Sequence, residues 1–208
     1  MYNLFYYNID KITDRIYLTE IEKLSKIRRK EIERKQNAED RKRSLVGDML
    51  VKKYLSKLYN VPEEKLIFAK GEHGKPYVLN IPAHFSISHS GKYTVVAISN
   101  EPIGVDVEEI REFSAIVAHK TFNDDERAYI AGNSAFRKKI QMQKAFYEIW
   151  TAKEAYLKYT GEGLSGGINS LSFEGNFEKI TPKNKDVELI YDFGVPGAVT
   201  AIVTAKHN

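Results

Sequence analysis

Hydrophobic and polar positions along the chain follow two different periods. Apolar side chains recur every second residue over 2–9, 85–90, 93–99 and 103–108, which predicts strands. Shorter runs at 66–68, 171–173, 188–193 and 198–204 read the same way. Over 45–59 the period lengthens. Val46, Leu50, Val51, Tyr54, Leu55 and Leu58 fill one arc of a helical wheel and Asp48, Lys52 and Ser56 lie opposite, so this stretch predicts a helix packed on a core. A highly charged helix is predicted over 20–36 and a long one over 138–160, where Phe146, Ile149, Trp150, Tyr156 and Leu157 share an arc. Turns at Gly91-Lys92 and Asn100-Glu101-Pro102 predict that 85–108 is a three-stranded meander. A helix followed by three strands occurs twice, and Tyr93–Ser99 is patterned like Ala198–Thr204. The reading is an α+β protein of two pseudo-symmetric lobes. Each is a three-stranded antiparallel sheet on a long helix, spanning 1–108 and 109–208, with a site in the cleft between them.

Composition narrows the function. The 208 residues suffice for one or two domains with a sizeable core. No apolar run approaches the roughly 18–20 residues of a membrane span, and Met1–Phe5 carry no basic, secretory-type start. The expectation is a cytoplasmic protein with no membrane partner. The absence of cysteine excludes disulfides, thiol nucleophiles and Cys-ligated zinc. The net charge of +4 is uneven: Lys23 to Lys57 hold 13 basic residues against 5 acidic ones. Such a patch suits an anion, whether nucleic acid, a nucleotide cofactor or an acidic protein, or is a solvated helix face.

The chemistry concentrates in three segments. On the strand 103–108, Gly104, Asp106 and Glu108 share a face, with the carboxylates about 7 Å apart at roughly 3.3 Å per residue. Both can reach one hard cation, and Gly104 leaves room for a ligand, although a solvated sheet face reads identically. On the long helix, Lys153 falls in the apolar arc, where a charge is costly unless paired. It is aimed into a cleft or snorkels to solvent, and Glu154 and Lys158 follow at its edge. On the strand 85–90, His89 ends a run of alternating serines beside a tight turn, a position from which it can donate to a phosphate oxygen. An all-oxygen donor set suits Mg²⁺ better than zinc. No Walker or dinucleotide glycine loop and no Gly-x-Ser-x-Gly elbow is present.

Taken together, Gly74-Lys75-Pro76, Phe85–Ser90, Ile103-Gly104-Val105-Asp106-Val107-Glu108 and Trp150-Thr151-Ala152-Lys153-Glu154-Ala155-Tyr156-Leu157-Lys158, followed by Gly161 and Gly163-Leu164, resemble the Sfp-type 4′-phosphopantetheinyl transferases. The resemblance covers most of the chain. It implies a monomer that uses Mg²⁺ and coenzyme A and acts on a serine of an apo acyl or peptidyl carrier protein, with no nucleic acid involved. Carried over residue by residue, it places Mg²⁺ on Asp106, Glu108 and Glu154. Coenzyme A falls to Arg28, Arg43, Ser44, Lys75, Ser88, His89, Lys153 and Lys158, and the catalytic roles to Glu126, Glu154 and Lys158. Two positions depart from the family pattern: Ser86 stands where Asn is usual, and Glu31 where basic residues are common. Phe113–Ala118 is a candidate docking helix for the carrier, or a packing helix between the lobes. Two other functions fit parts of the pattern: a Mg²⁺-dependent phosphohydrolase, and a basic nucleic-acid-binding module built on 23–57.

Overall fold

A computed structural model describes residues 1–132, 136, 138–163, 167–176, 178 and 180–206. The chain builds one set of elements and then repeats it. The first set is β1 (Tyr2–Asn8), α1 (Asp14–Glu22), α2 (Lys26–Glu33), α3 (Ala38–Tyr59), the hairpin of β2 (Phe68–Lys70) and β3 (Pro76–Val78), β4 (His84–Ser90) and β5 (Tyr93–Ser99). The second is β6 (Ile103–Glu109), α4 (Ala115–Thr121), α5 (Asp124–Ala131), α6 (Lys139–Thr160), the hairpin of β7 (Phe173–Gly175) and β8 (Ile180–Pro182), β9 (Val187–Asp192) and β10 (Ala198–Ala205). The sheets are ordered β1-β5-β4 and β6-β10-β9, antiparallel throughout.

This corrects the meander. The turn at 100–102 hands the chain to the other sheet, where β6 pairs with β10 (Asp106 opposite Ala201) instead of with β5. Counted by sheets, the second lobe therefore begins with β6, ahead of residue 109.

The layers run helix, sheet, sheet, helix. Val96 and Ile98 of β5 face the α3 core with Leu50, Val51 and Leu55, while Val95 and Ala97 face the other sheet. On β10, Val199, Ala201 and Val203 pack under α6 and Ile202 meets Val105 and Val107 between the sheets. Both central strands are buried on both faces, which is why they read as almost unbroken apolar runs.

Local capping sets the helix bounds. The helix expected over 20–36 is two helices, because the Ser25 hydroxyl accepts from the Arg28 amide at 3.2 Å and starts a new one. Likewise α3 begins at Ala38, since Asn37 caps the Glu39 amide at 2.8 Å and Glu39 and Asp40 suit the positive helix end. Gly161, at φ +79°, closes α6 in the left-handed conformation that glycine takes without strain.

Candidate active site

The acidic centre rests on β6 and α6, which pack backbone to backbone. A Cβ on Gly104 would lie 1.9 Å from the Ala155 carbonyl oxygen, so the space that glycine leaves is filled by the helix and not by a ligand. This contact brings Glu154 and Lys158, one turn apart on α6, alongside Asp106 and Glu108. Asp106 is 5% exposed. Its Oδ1 accepts from Lys158 Nζ at 2.7 Å and from Ser88 Oγ at 2.6 Å, while its Oδ2 is buried with no hydrogen-bond donor. Glu108 accepts from Ser90 Oγ at 2.5 Å. Burial first, and repulsion from Asp106 second, push the Glu154 carboxyl above its usual range against the pull of Lys158. Burial likewise raises Glu108, opposed by the Ser90 hydrogen bond and reinforced by Asp106. Among the described residues, no three His, Asp or Glu side chains are already gathered into a metal cage. The positive charges at the centre are Lys158 on Asp106 and, at 4.0 Å from Glu108, the more exposed Arg111.

Next to these acids lies a cleft of about 430 Å³ lined by both lobes, with His73, Lys75 and Ser86 on one side and Glu154, Lys158 and Gly163 on the other. Leu164 lies outside the described residues. Lys75 Nζ donates to the carbonyls of Ile103 (3.1 Å) and Lys158, tying the β2–β3 hairpin to β6 and α6. Burial, and then the neighbouring Lys158, bring the Lys75 ammonium from 10.5 down to about 8. An anion bound in the cleft returns it toward its ordinary value, so near pH 8 binding takes up protons and weakens as pH rises further. Calorimetric titration with coenzyme A at pH 8 is therefore expected to give enthalpies that differ between buffers of different ionisation enthalpy. Lys75→Met should shrink that difference. Equal enthalpies for the unsubstituted protein in both buffers would contradict this.

Cations gather where β4 ends. His89 projects there, and crowding by the protein, then Lys158, Arg43 and Lys35, hold its imidazole below the usual range. Arg43 donates to Asp40 at 2.6 Å and to the Gly91 carbonyl at 2.5 Å, with Ser44 buried beside it on α3. Arg28 stands apart from the cleft residues. Its guanidinium is taken by Asp48 (2.8 Å) and Glu31 (2.9 Å), and Glu31 also binds Lys70 at 2.7 Å.

Three expected ligand contacts are redirected. Glu126 and Lys153 do meet, at 3.0 Å, and both are sealed from solvent at 0% and 1% exposure. Glu126 also accepts from the amides of Asn123 (2.9 Å) and Phe173 (3.1 Å), which ties α5, β7 and α6 together. The Ser88 hydroxyl is occupied by Asp106 and by the Val107 amide at 3.3 Å. Residue-type reasoning also passed over Ser90. The signal was there: serines at 86, 88 and 90 stand a constant 18 residues before Gly104, Asp106 and Glu108.

Comparison with known proteins places the whole of this site within matched segments. A family model described as the 4′-phosphopantetheinyl transferase superfamily matches residues 102–193. A second, described as 4′-phosphopantetheinyl transferase, N-terminal, matches residues 12–101, and the two meet where β6 enters the second sheet. The chain is 37% identical over 153 residues to 4′-phosphopantetheinyl transferase gsp of Aneurinibacillus migulanus, covering 74% of this chain and 62% of that protein. It is 33% identical over 150 residues to 4′-phosphopantetheinyl transferase Sfp of Bacillus subtilis (strain 168), covering 72% and 65%. With 4′-phosphopantetheinyl transferase ffp of Bacillus subtilis it shares 34% identity over 187 residues, covering 87% and 82%. The chain thus spans less than two thirds of the length of gsp and of Sfp.

Proposed function

The chain belongs to the 4′-phosphopantetheinyl transferase superfamily, and from that premise we propose that it transfers the 4′-phosphopantetheine arm of coenzyme A to a serine of an apo acyl or peptidyl carrier protein. The serine oxygen bonds to the pantetheine-side phosphorus. The bridging oxygen leaves with adenosine 3′,5′-bisphosphate. The observation that supports this best is the acidic centre: Asp106 on β6 beside Glu108 and Glu154, with Asp106 Oδ2 buried and unpartnered and Glu154 lining a two-lobed cleft.

That centre suits a divalent ion. Three carboxylates form an all-oxygen donor set, and an orphaned buried carboxylate oxygen is a cost that a hard cation removes. Asp106, Glu108 and Glu154 would hold Mg²⁺, which when bound neutralises diphosphate charge. The protein's own residues do the rest. Lys158, half-buried and tethered at 2.7 Å to Asp106, is placed to offset charge growing on phosphoryl oxygens. Lys75 and the cations around His89 attract the remaining phosphate charge. With Glu126 sealed from solvent, Glu154, which lines the cleft, takes the serine proton, directly or through water.

Of the segment 113–118, Phe113 precedes the helix, Ser114 caps it and Ala115–Ala118 form the first turn of α4. Ala118 packs on the α6 core, while Ile116 and Val117 stay exposed, Val117 at the rim of a hollow of about 330 Å³ that joins the charged Glu108, Arg111 and Glu112 to the aromatic Phe113, Phe146 and Trp150. This supports carrier docking there, and the basic surface favours encounter with an acidic partner. No described helix is long and apolar enough to cross a membrane. The comparisons lend no support to the phosphohydrolase or nucleic-acid readings.

Incubation with coenzyme A, Mg²⁺ and a panel of apo-carriers, read by intact mass, is expected to show one added arm on at least one carrier. No mass gain on any carrier, or release of nucleotide from coenzyme A with no carrier present, would overturn the proposal.

A further inference from the structure

The geometry points to Ser88 and Ser90 as positioning residues that orient the metal-binding carboxylates of Asp106 and Glu108, an inference that rests on the divalent-ion reading above. It begins from an unusual junction. β4 and β6 are edge strands of different sheets, yet the amides of Val105, Val107 and Glu109 donate to the hydroxyls of Ser86, Ser88 and Ser90 at 3.0, 3.3 and 3.1 Å. The offset is 19 residues at every rung, so the two strands run parallel and in register. Side-chain hydroxyls take the place of a neighbouring strand's carbonyls, and all three serines are buried.

A hydroxyl has one proton to give and lone pairs to receive with. Here the lone pair is fixed by a β6 amide, so the proton's direction is constrained. At Ser88 it goes to Asp106 Oδ1, and at Ser90 to Glu108 Oε2. At Ser86 the matching position is Gly104, which has no side chain to receive it. Two of three rungs thus end on a carboxylate, and those two carboxylates belong to the acidic centre. At Asp106 the consequence is specific. Ser88 and Lys158 both donate to Oδ1, which leaves Oδ2 the oxygen without a donor. Second partners of this kind hold ligating groups in orientation, and their loss commonly costs about 10–100-fold in metal affinity.

The ladder supplies its own control. Ser86→Ala removes a rung and orphans the Val105 amide without touching a carboxylate, whereas Ser88→Ala and Ser90→Ala remove a rung and a carboxylate contact together. Mn²⁺ binding to the full chain, read from the free-ion paramagnetic signal with Mg²⁺ as competitor, measures the site without turnover. Ser88→Ala and Ser90→Ala are expected to weaken Mn²⁺ about tenfold or more and Ser86→Ala less than about twofold. Ser90→Thr, which keeps a hydroxyl near the ladder's end, is expected to restore the affinity lost in Ser90→Ala. Should Ser88→Ala fail to fold, the Ser90 pair decides the question. Unchanged affinity in the two alanine variants, or an equal loss in Ser86→Ala, overturns the inference alone. Failure of the unsubstituted protein to bind Mn²⁺ overturns the functional reading, and the inference with it.

Discussion

Replacing Glu126 with Gln is expected to remove about 3–5 kcal/mol of folding stability, the usual cost of breaking a buried ion pair from one side. The variant keeps the size of the side chain but only one acceptor oxygen of two, so the Asn123 and Phe173 amides, which bond to different carboxylate oxygens, cannot both be satisfied. It also loses the charge that faces Lys153 at 3.0 Å. Lys153 then has only the Asn169 amide oxygen at 3.3 Å and the face of Phe122, 5.4 Å from the ring centre. Burial already pushes its ammonium below the ordinary range with Glu126 present, so it will shed its proton or drag in water. Lys153→Met should cost less than Glu126→Gln, because the carboxylate left behind retains two backbone donors and the methionine fills the space. Urea unfolding of both variants measures this, and a Glu126→Gln midpoint equal to the parent's would refute it. The same variant settles the residue's role. As an anchor, its loss lowers stability while transfer per folded molecule persists; as the proton acceptor, its loss would abolish transfer with the fold intact.

That residue also marks where sequence reading stops. Period-two and period-3.6 patterns placed β4, β5, β6 and α6 within a few residues, because their faces are buried against unlike neighbours, and found the end of α3 but not its first two turns. Helix starts were less legible. Asn37 and Ser25 act through one hydrogen bond each, which no periodicity records. The strand exchange at 100–102 was hidden for a different reason. A tight turn between two good strands says nothing about which sheet the second joins, and β6 joins β10 across almost a hundred residues.

Within the site, Asp106 and Glu108 were legible as a pair because they share a strand face, and Glu154 and Lys158 because they stand one helical turn apart. Lys153 is the buried charge that its place in the apolar arc implies, but it faces α5 and not the cleft. Its partner lies 27 residues back on α5, a distance in sequence that the helical wheel cannot span. Arg28 shows the converse. A basic residue in a basic run looked available to an anion, but Asp48 and Glu31 already hold it. Burial raises the Asp48 carboxyl even so, and its lysine and arginine neighbours hold the Glu31 carboxyl below its usual range.

Asp106→Asn is expected to reduce transfer by about a thousandfold or more, several kcal/mol of transition-state stabilisation, while leaving the metal-free fold at least as stable as before. The two effects share one cause. Asp106 lies buried and repels both Glu108 and Glu154. Neutralising it relieves that repulsion, and the asparagine still offers Oδ1 to Ser88. The cost falls on Lys158, which loses a charged partner but is partly exposed and can turn to water. Stability gained by removing a like charge is thus stability the native protein gives up to keep three acids near one another. Mg²⁺ should therefore raise the melting temperature of the parent and leave that of Asp106→Asn unmoved, since a ligand stabilises only the form that binds it. Intact-mass transfer assays and melts with and without Mg²⁺ read both halves. Transfer within tenfold of the parent, or an undiminished Mg²⁺ shift, would show that the acidic centre is not where the diphosphate is held.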